Sequence, residues 1–255
     1  MLYSLGLTGV LSEGFTLAHW ASLLSKSSFW LTMGFSFYVA LVTIVLAGMV
    51  ATALVLRDPQ RFRQPTPSFL MYMPLAIPAI VMAFFIFQLL SKGGWLSRLS
   101  YQLGLINDLL AFPDWVNDNY GIGIIVSHLL MATPFFVLFL TNIYENEQIA
   151  SYRQLAYTMG ASRRQARWRI ELPMLLRPAA PTLFLYFLFV MGSYEIPLLL
   201  GSQSVQMVSV LTIHKMQRFN LENIPQAYVT SVVYTMIVVL LIVLMAWLSP
   251  KKQTS

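Results

Sequence analysis

Five long runs of apolar residues, separated by polar and charged segments, organise the chain. A helix needs about 20 residues to cross the hydrocarbon core of a bilayer, and each run is at least that long. The pattern therefore predicts an all-α integral membrane protein with five transmembrane helices, at Phe29–Leu56, Phe69–Leu90, Gly121–Asn142, Pro178–Leu200 and Gln226–Leu248. We expect one membrane domain, 29–250, after an external segment, 1–28, and before a cytoplasmic tail, 251–255.

Lys and Arg residues are distributed unequally between the two sets of connecting segments. The first gap, the third gap and the C-terminus hold eleven of them, at 57, 61, 63, 153, 163, 164, 167, 169, 177, 251 and 252. The other segments hold five, at 26, 92, 98, 215 and 218. Because basic residues accumulate on the cytoplasmic side of a membrane, the N-terminus should lie outside and the C-terminus inside.

Two of the outer segments carry apolar residues at helical spacing. Trp95, Leu99, Leu103 and Ile106 recur in this way, so Gly94–Ile106 is predicted to be an amphipathic helix at the membrane interface. Val208, Leu211 and Lys215 indicate a second helix of this kind; the alternative for both is a mobile loop.

The composition supports lipid as the solvent and excludes several kinds of site. Of the 255 residues, 57% are hydrophobic and 10% are charged, against about a quarter charged in soluble domains. The basic residues that give the net charge of +6 lie in the gaps between spans, so they indicate the membrane topology and do not indicate nucleic-acid binding. There is no cysteine, and His19, His128 and His214 are far apart, so no metal site is expected.

One cytoplasmic segment predicts a compact, Arg-rich structure. Gln148–Met159 has few helix breakers, and Gly160 can adopt the left-handed conformation that ends a helix. Ser162 is a good N-cap for a second short helix, Arg163–Glu171, which Pro173 should end. The expected object is a helix–Gly–helix elbow; the simpler interpretation is a basic loop that only sets topology.

The spacing within this segment resembles the signature loop of the binding-protein-dependent transport inner-membrane component family, the permeases of type I ABC importers. That signature is EAA, three residues, Gly, nine residues, Ile, one residue and Leu-Pro. Gln154 and Leu155 replace its first two residues, and the identities retained are Ala156, Gly160, Ile170, Leu172 and Pro173. Gln154 lacks the carboxylate that relatives carry at this position.

The resemblance implies that the loop 143–177, with Arg163 and Arg164 beside Gly160, docks on a separate ATPase. It also implies two ATP-binding subunits, a second permease (identical or homologous), an external solute-binding protein and a multi-pass location in the bacterial inner membrane. The chain lacks a GxxxxGK[ST] phosphate-binding loop, so ATP and Mg should bind to the partner. We therefore expect no cofactor in this chain and no enzymatic activity of its own.

The resemblance extends to the branch that includes spermidine/putrescine, thiamine, iron and sulfate-type permeases. The segments that carry it begin at Met73, Tyr120, Thr133 and Gly192. Relatives usually have an additional first span, and Met1–Gly14 is similar to the outer end of such a span. Two possibilities therefore stay open for the number of spans: five, or six with one span upstream of Met1.

Four polar residues in or near the spans are candidates for the translocation path. Glu195 is the clearest, because a charged side chain in hydrocarbon is costly; Ser193 and Tyr194 lie beside it. A solvated, interfacial Glu195 is the alternative. His128 is the fourth candidate, although a lone histidine is more often a helix–helix contact.

Two other classes of function compete with an ABC permease. A membrane-embedded enzyme is disfavoured, because no His/Asp/Glu cluster or Ser–His pair has a catalytic context. A proton-coupled secondary transporter or channel would use Glu195 for proton movement and would need no docking elbow. The transported solute, and whether the two permeases are identical, stay open.

Overall fold

The computed structural model describes residues 1–8, 14–217 and 223–248. Arg218, Lys251, Lys252 and the predicted tail lie outside them. The described residues form helices and no strand: α1 (Ala18–Leu24), α2 (Ser27–Arg57), α3 (Pro65–Leu75), α4 (Ala79–Leu90), α5 (Trp95–Gln102), α6 (Ile122–Asn146), α7 (Ile149–Thr158), α8 (Arg163–Ala166), α9 (Leu172–Met191), α10 (Glu195–Leu200), α11 (Val208–Gln217) and α12 (Asn223–Leu248).

Within the part of the chain that the structure describes, five helical segments are long and apolar enough to cross a membrane. They are Ser27–Arg57, Ala79–Gln102, Ile122–Asn146, Arg163–Met191 and Asn223–Trp247. The prediction of an all-α membrane protein with five spans is therefore confirmed.

The helix α2 lies at the centre of the packing, against α6 and α9. Its residues Ala47, Ala51 and Val55 are fully buried and recur every four positions, so they form one ridge of the helix. Small side chains on this ridge let two backbones approach closely, as is typical of helix contacts within membranes. The ridge packs on Phe136 and Leu140 of α6.

The second predicted span is not one continuous helix, contrary to the prediction for Phe69–Leu90. The helix α3 ends at Leu75, and α4 begins at Ala79 after an extended Pro78. Proline lacks an N–H, and its ring would collide with the carbonyl four residues earlier, so it interrupts the helix here. The hydropathy of the run does not change at this point, so the interruption is invisible in the apolar pattern.

The fourth predicted span, Pro178–Leu200, is also interrupted. The helix α9 ends at Met191, and the short helix α10 begins at Glu195 after Gly192–Tyr194. The helix α10 packs against α4 and α6. The interruption therefore places Glu195 at the start of a new helix that follows a non-helical stretch.

The two outer helices predicted from apolar spacing are both present. The first, α5, is shorter than expected and ends at Gln102. The second, α11, spans Val208–Gln217 and packs against α12 and α2.

We expect the N-terminus outside and the C-terminus inside. Reporter fusions after Gln64, Trp115, Glu147 and Gln203 fall between the spans, so they should report inside, outside, inside and outside in turn. Alkaline phosphatase and green fluorescent protein fusions measure the two sides independently. A cytoplasmic location for Trp115 would contradict this topology.

Candidate functional site

The predicted helix–Gly–helix elbow is present between α6 and α9. Its first arm is α7, and Gly160 follows with a φ of 83°, in the left-handed region. The N–H of Gly160 donates to the Tyr157 carbonyl at 3.0 Å, and the N–H of Ala161 donates to the Ala156 carbonyl at 3.0 Å. This pair of bonds is a Schellman motif, which ends a helix and turns the chain.

The second arm begins with a capping box. The Ser162 hydroxyl accepts from the Gln165 N–H at 3.3 Å, and the Gln165 side chain accepts from the Ser162 N–H at 2.9 Å. These bonds satisfy two backbone groups that a helix start otherwise leaves unpaired. The predicted N-cap at Ser162 is therefore correct.

The prediction that Pro173 ends the second arm is wrong. From Arg163 the chain stays helical through a π-helical turn, Arg167–Glu171, and continues directly into α9. The wider hydrogen-bond spacing of a π turn shifts the carbonyls that precede the proline, which relieves the clash expected in a regular α-helix. The second arm and the fourth span are therefore one helix, Arg163–Met191.

The outer surface of the elbow is both apolar and basic. Leu155 is 57% exposed and Met159 is 81% exposed. Arg163 and Arg164 are exposed beside them, as is Gln154. Exposed apolar groups of this size next to arginines are typical of a protein-binding surface. Sequence reasoning recognised the arginines but treated Leu155 only as a departure from the motif and overlooked Met159.

The remaining motif residues face inward or are partly covered. Ala156 is buried on the side of α7 that packs against the π turn. Ile170, Leu172 and Pro173 are half-buried at the base of the elbow. These residues therefore pack at the base of the elbow, whereas the exposed residues form its outer surface.

A charged pair connects the two arms. Arg153 on α7 approaches Glu171, with 4.0 Å between Nη1 and Oε2. Glu171 is 2% exposed, and its Oε2 has no hydrogen bond within the described residues. A buried carboxylate is costly without a nearby opposite charge, so the Arg153 guanidinium helps to offset the cost of burying Glu171. The pair lies next to Gln154, where relatives carry a carboxylate.

The four residues predicted for the translocation path come together at one cavity of about 500 Å³. The cavity lies where α6, α9, α10 and the first residue of α4 meet, and the interruption at Gly192–Tyr194 lines it. Met131, Tyr186 and Phe189 supply its apolar walls. Ser193, Tyr194 and Glu195 are consecutive, whereas His128 precedes Ser193 by 65 residues and is brought to the same cavity by the fold.

His128 joins α6 to the stretch between α9 and α10 at this cavity. It is 2% exposed, and its Nε2 lies 3.0 Å from the Ser193 hydroxyl oxygen. The bond is a packing contact, as in the simpler interpretation of a lone histidine, but its partner lies in the non-helical stretch Gly192–Tyr194 and not on a second helix. Glu195 is exposed, and among the described residues that line the cavity it alone carries a formal charge.

Residues 44–253 match the model of the family described as binding-protein-dependent transport system inner membrane component. This chain belongs to that family. The permease is therefore a member of the type I ABC importer permeases, as the loop spacing predicted, and its family is one of transport proteins.

Two relatives share part of their sequence with the permease. It is 29% identical to the thiamine transport system permease protein ThiP of Escherichia coli over 186 residues, and 28% identical to ThiP of Salmonella typhimurium. Each match covers 71% of this permease and 33% of the relative. The permease therefore corresponds to about one third of the length of these proteins.

Two solved structures share the fold of the permease. A bacterial ABC transporter involved in the import of the acidic polysaccharide alginate matches with a TM-score of 0.72 and 16% identity, over 97% of the permease and 88% of that chain. A bacterial alginate ABC transporter in complex with an alginate pentasaccharide-bound periplasmic protein matches with a TM-score of 0.70 and 15% identity. That match covers 93% of the permease and 83% of the other chain. These similarities establish the architecture.

Proposed function

We propose that the permease forms one half of the translocation path of an ABC importer in the bacterial inner membrane. An external binding protein delivers a small solute to the outer face, and separate ATPase subunits drive the cycle. The observation that carries this proposal is the single helix Arg163–Met191, which joins the elbow to the cavity at Glu195.

The elbow is the proposed docking site for the ATPase. Its arms are short, its angle is set by the Schellman motif at Gly160, and its surface combines Leu155 and Met159 with two arginines. Such a surface fits a groove with apolar walls and carboxylates at its rim. One elbow per permease implies a second permease for the second ATPase of the complex.

The exposed apolar faces of α3 and α4 support pairing with a second permease. The helix α3 has no buried residue, and Phe69 and Phe84 are large, apolar and exposed. The cavity itself is open on one side, with Phe189 exposed at its edge. A second permease that covers these surfaces would close the path around Glu195.

Glu195 favours a cationic cargo over an anionic one. A carboxylate at the wall of an apolar cavity attracts a cation, and aromatic faces such as those of Tyr194 and Phe189 do the same. Thiamine is a cation, and ThiP is named for thiamine transport. We therefore propose a small organic cation as the cargo, with thiamine as the first compound to test.

Uptake should depend on ATP and not on the proton gradient. Cells that express the permease with its ATPase and binding protein should accumulate labelled thiamine, and ATP depletion should abolish accumulation. A protonophore, added while ATP is maintained, should leave the initial rate unchanged. Loss of uptake with the protonophore alone would instead support a proton-coupled transporter, and uptake of other solutes only would refute the proposed cargo.

A further inference from the structure

A second concave surface lies between α2 and α9, away from the cavity at Glu195. It is a groove of about 620 Å³, and it shares no lining residue with that cavity. Its walls are almost entirely apolar, and the small residues Gly48 and Ala53 are among those that line it. Arg167 and Trp168, the first two residues of the π turn, lie at one end.

The length of this groove corresponds to one leaflet of a bilayer. Along α2 it extends from Ile44 to Leu56, which is about 18 Å at the rise of an α-helix. One leaflet contributes roughly 15 Å of hydrocarbon. The groove therefore has an apolar part of leaflet depth and a single cationic end, on the side of the elbow.

We propose that this groove binds an anionic phospholipid of the cytoplasmic leaflet. One acyl chain lies between α2 and α9, and the phosphate accepts hydrogen bonds from the Arg167 guanidinium. The exposed Trp168 lies at the level of the headgroup, where indole rings are enriched. Arg167 has no ion pair within 4.0 Å in the part of the chain that the structure describes.

A lipid matches both properties of this groove, because the acyl chain of one leaflet has its length and an anionic headgroup is attracted to the cation at its end. The inference requires the elbow to be cytoplasmic, but it does not depend on the identity of the cargo. A bound phosphate at Arg167 would hold the π turn, and with it the base of the elbow, at the membrane surface.

Native mass spectrometry of the purified, delipidated ABC complex tests this proposal. Phosphatidylglycerol and phosphatidylcholine with identical acyl chains are added in equal amounts. The wild-type complex should retain phosphatidylglycerol preferentially. Arg167→Gln should reduce that preference about fivefold, because one basic side chain near an anionic lipid contributes about that much. Gly48→Leu should reduce retention of both lipids, because the leucine side chain would occupy part of the groove.

Arg169→Gln is the matched control, since Arg169 is exposed in the same turn but does not line the groove. It should behave as the wild type. An unchanged lipid preference in Arg167→Gln would overturn the proposal. A Cβ at Gly48 meets only Leu183 Cδ2, at an ordinary 3.6 Å, so Gly48→Leu introduces no clash at its Cβ.

A photocrosslinker identifies what covers the groove within the membrane. Met49 lines the groove and is 56% exposed, and the chain has no native cysteine, so Met49→Cys can be labelled at one site with benzophenone maleimide. Illumination in vesicles that contain phosphatidylglycerol should give a phospholipid adduct. An adduct with the second permease alone would show that the groove is a protein interface, and would refute the lipid site.

Discussion

Replacing Gly160 by valine should leave the permease in the membrane but reduce uptake roughly 5- to 30-fold. Gly160 has a φ of 83°, and apart from Met159 and Ala161 no described residue has a heavy atom within 4 Å of a Cβ placed there. The cost of the substitution is therefore a backbone cost, on the order of 1–2 kcal/mol for a residue in the left-handed region. It should weaken the Schellman motif, change the angle of the elbow and reduce the amount of ATPase that co-purifies.

Gly104→Val is the matched control for this substitution. Gly104 has a φ of 69°, open space around its Cβ position, and a place after α5, far from the elbow in sequence. The same backbone cost should therefore arise without loss of coupling. Gly160→Asn should lie between valine and wild type, because asparagine tolerates the left-handed conformation better. Normal co-purification and uptake in Gly160→Val would show that Gly160 does not set the elbow.

Glu195→Gln should reduce uptake about tenfold or more while expression stays unchanged. The substitution keeps the shape of the side chain and removes the one formal charge on the described lining of the cavity. A hydrogen bond to a charged group contributes about 1.5–3 kcal/mol, which sets the size of the expected loss if the carboxylate contacts a cation. If it pairs with the second permease instead, the ATPase should no longer respond to the loaded binding protein.

Accessibility gives an independent measurement at the same position. Glu195→Cys, in a chain without native cysteine, should react with a small hydrophilic thiol reagent in at least one state of the transport cycle. For the uptake measurement, Asp114→Asn is the control that matches Glu195→Gln. Asp114 is an exposed carboxylate paired with Lys92 at 2.9 Å, and it does not line the cavity. Normal uptake in Glu195→Gln, together with an inert cysteine, would make Glu195 a structural residue.

The parts of the fold that depend on local pattern could be predicted from the sequence. The spans follow from apolar runs of sufficient length, and the turn of the elbow follows from Gly160 and Ser162 within a few residues of each other. In each case the residues that determine the conformation are neighbours along the chain. The local sequence pattern was therefore sufficient to predict that five spans exist and that the chain turns at Gly160.

The interruptions of the second and fourth spans required more than hydropathy. The apolar runs continue across Pro78 and Gly192, because hydropathy records the side chain and not whether the backbone can stay helical. Pro173 gave the opposite error, since its effect depends on the π turn that precedes it. The effect of a proline on a span depends on how the carbonyls around it are hydrogen-bonded.

The assembly of the cavity depends on contacts between distant parts of the chain. His128 and Ser193 are 65 residues apart, so a hydrogen bond between them follows only from the packing of α6 against the end of α9. Nor does the sequence alone distinguish an exposed Met159 from a buried methionine in a chain with 14 of them. Residue type indicated the candidates, and the tertiary structure brings His128 to the cavity that Ser193, Tyr194 and Glu195 line.

The continuity of the helix Arg163–Met191 makes it a lever with its two working ends on different sides of the membrane. Its 29 residues extend about 43 Å, so a tilt of about 10° at one end displaces the other by about 7 Å. That displacement arrives at Gly192–Tyr194, between the end of α9 and the start of α10. A small rotation at the elbow is thus amplified into a movement as large as a small solute, without a relay of side-chain contacts between the two ends.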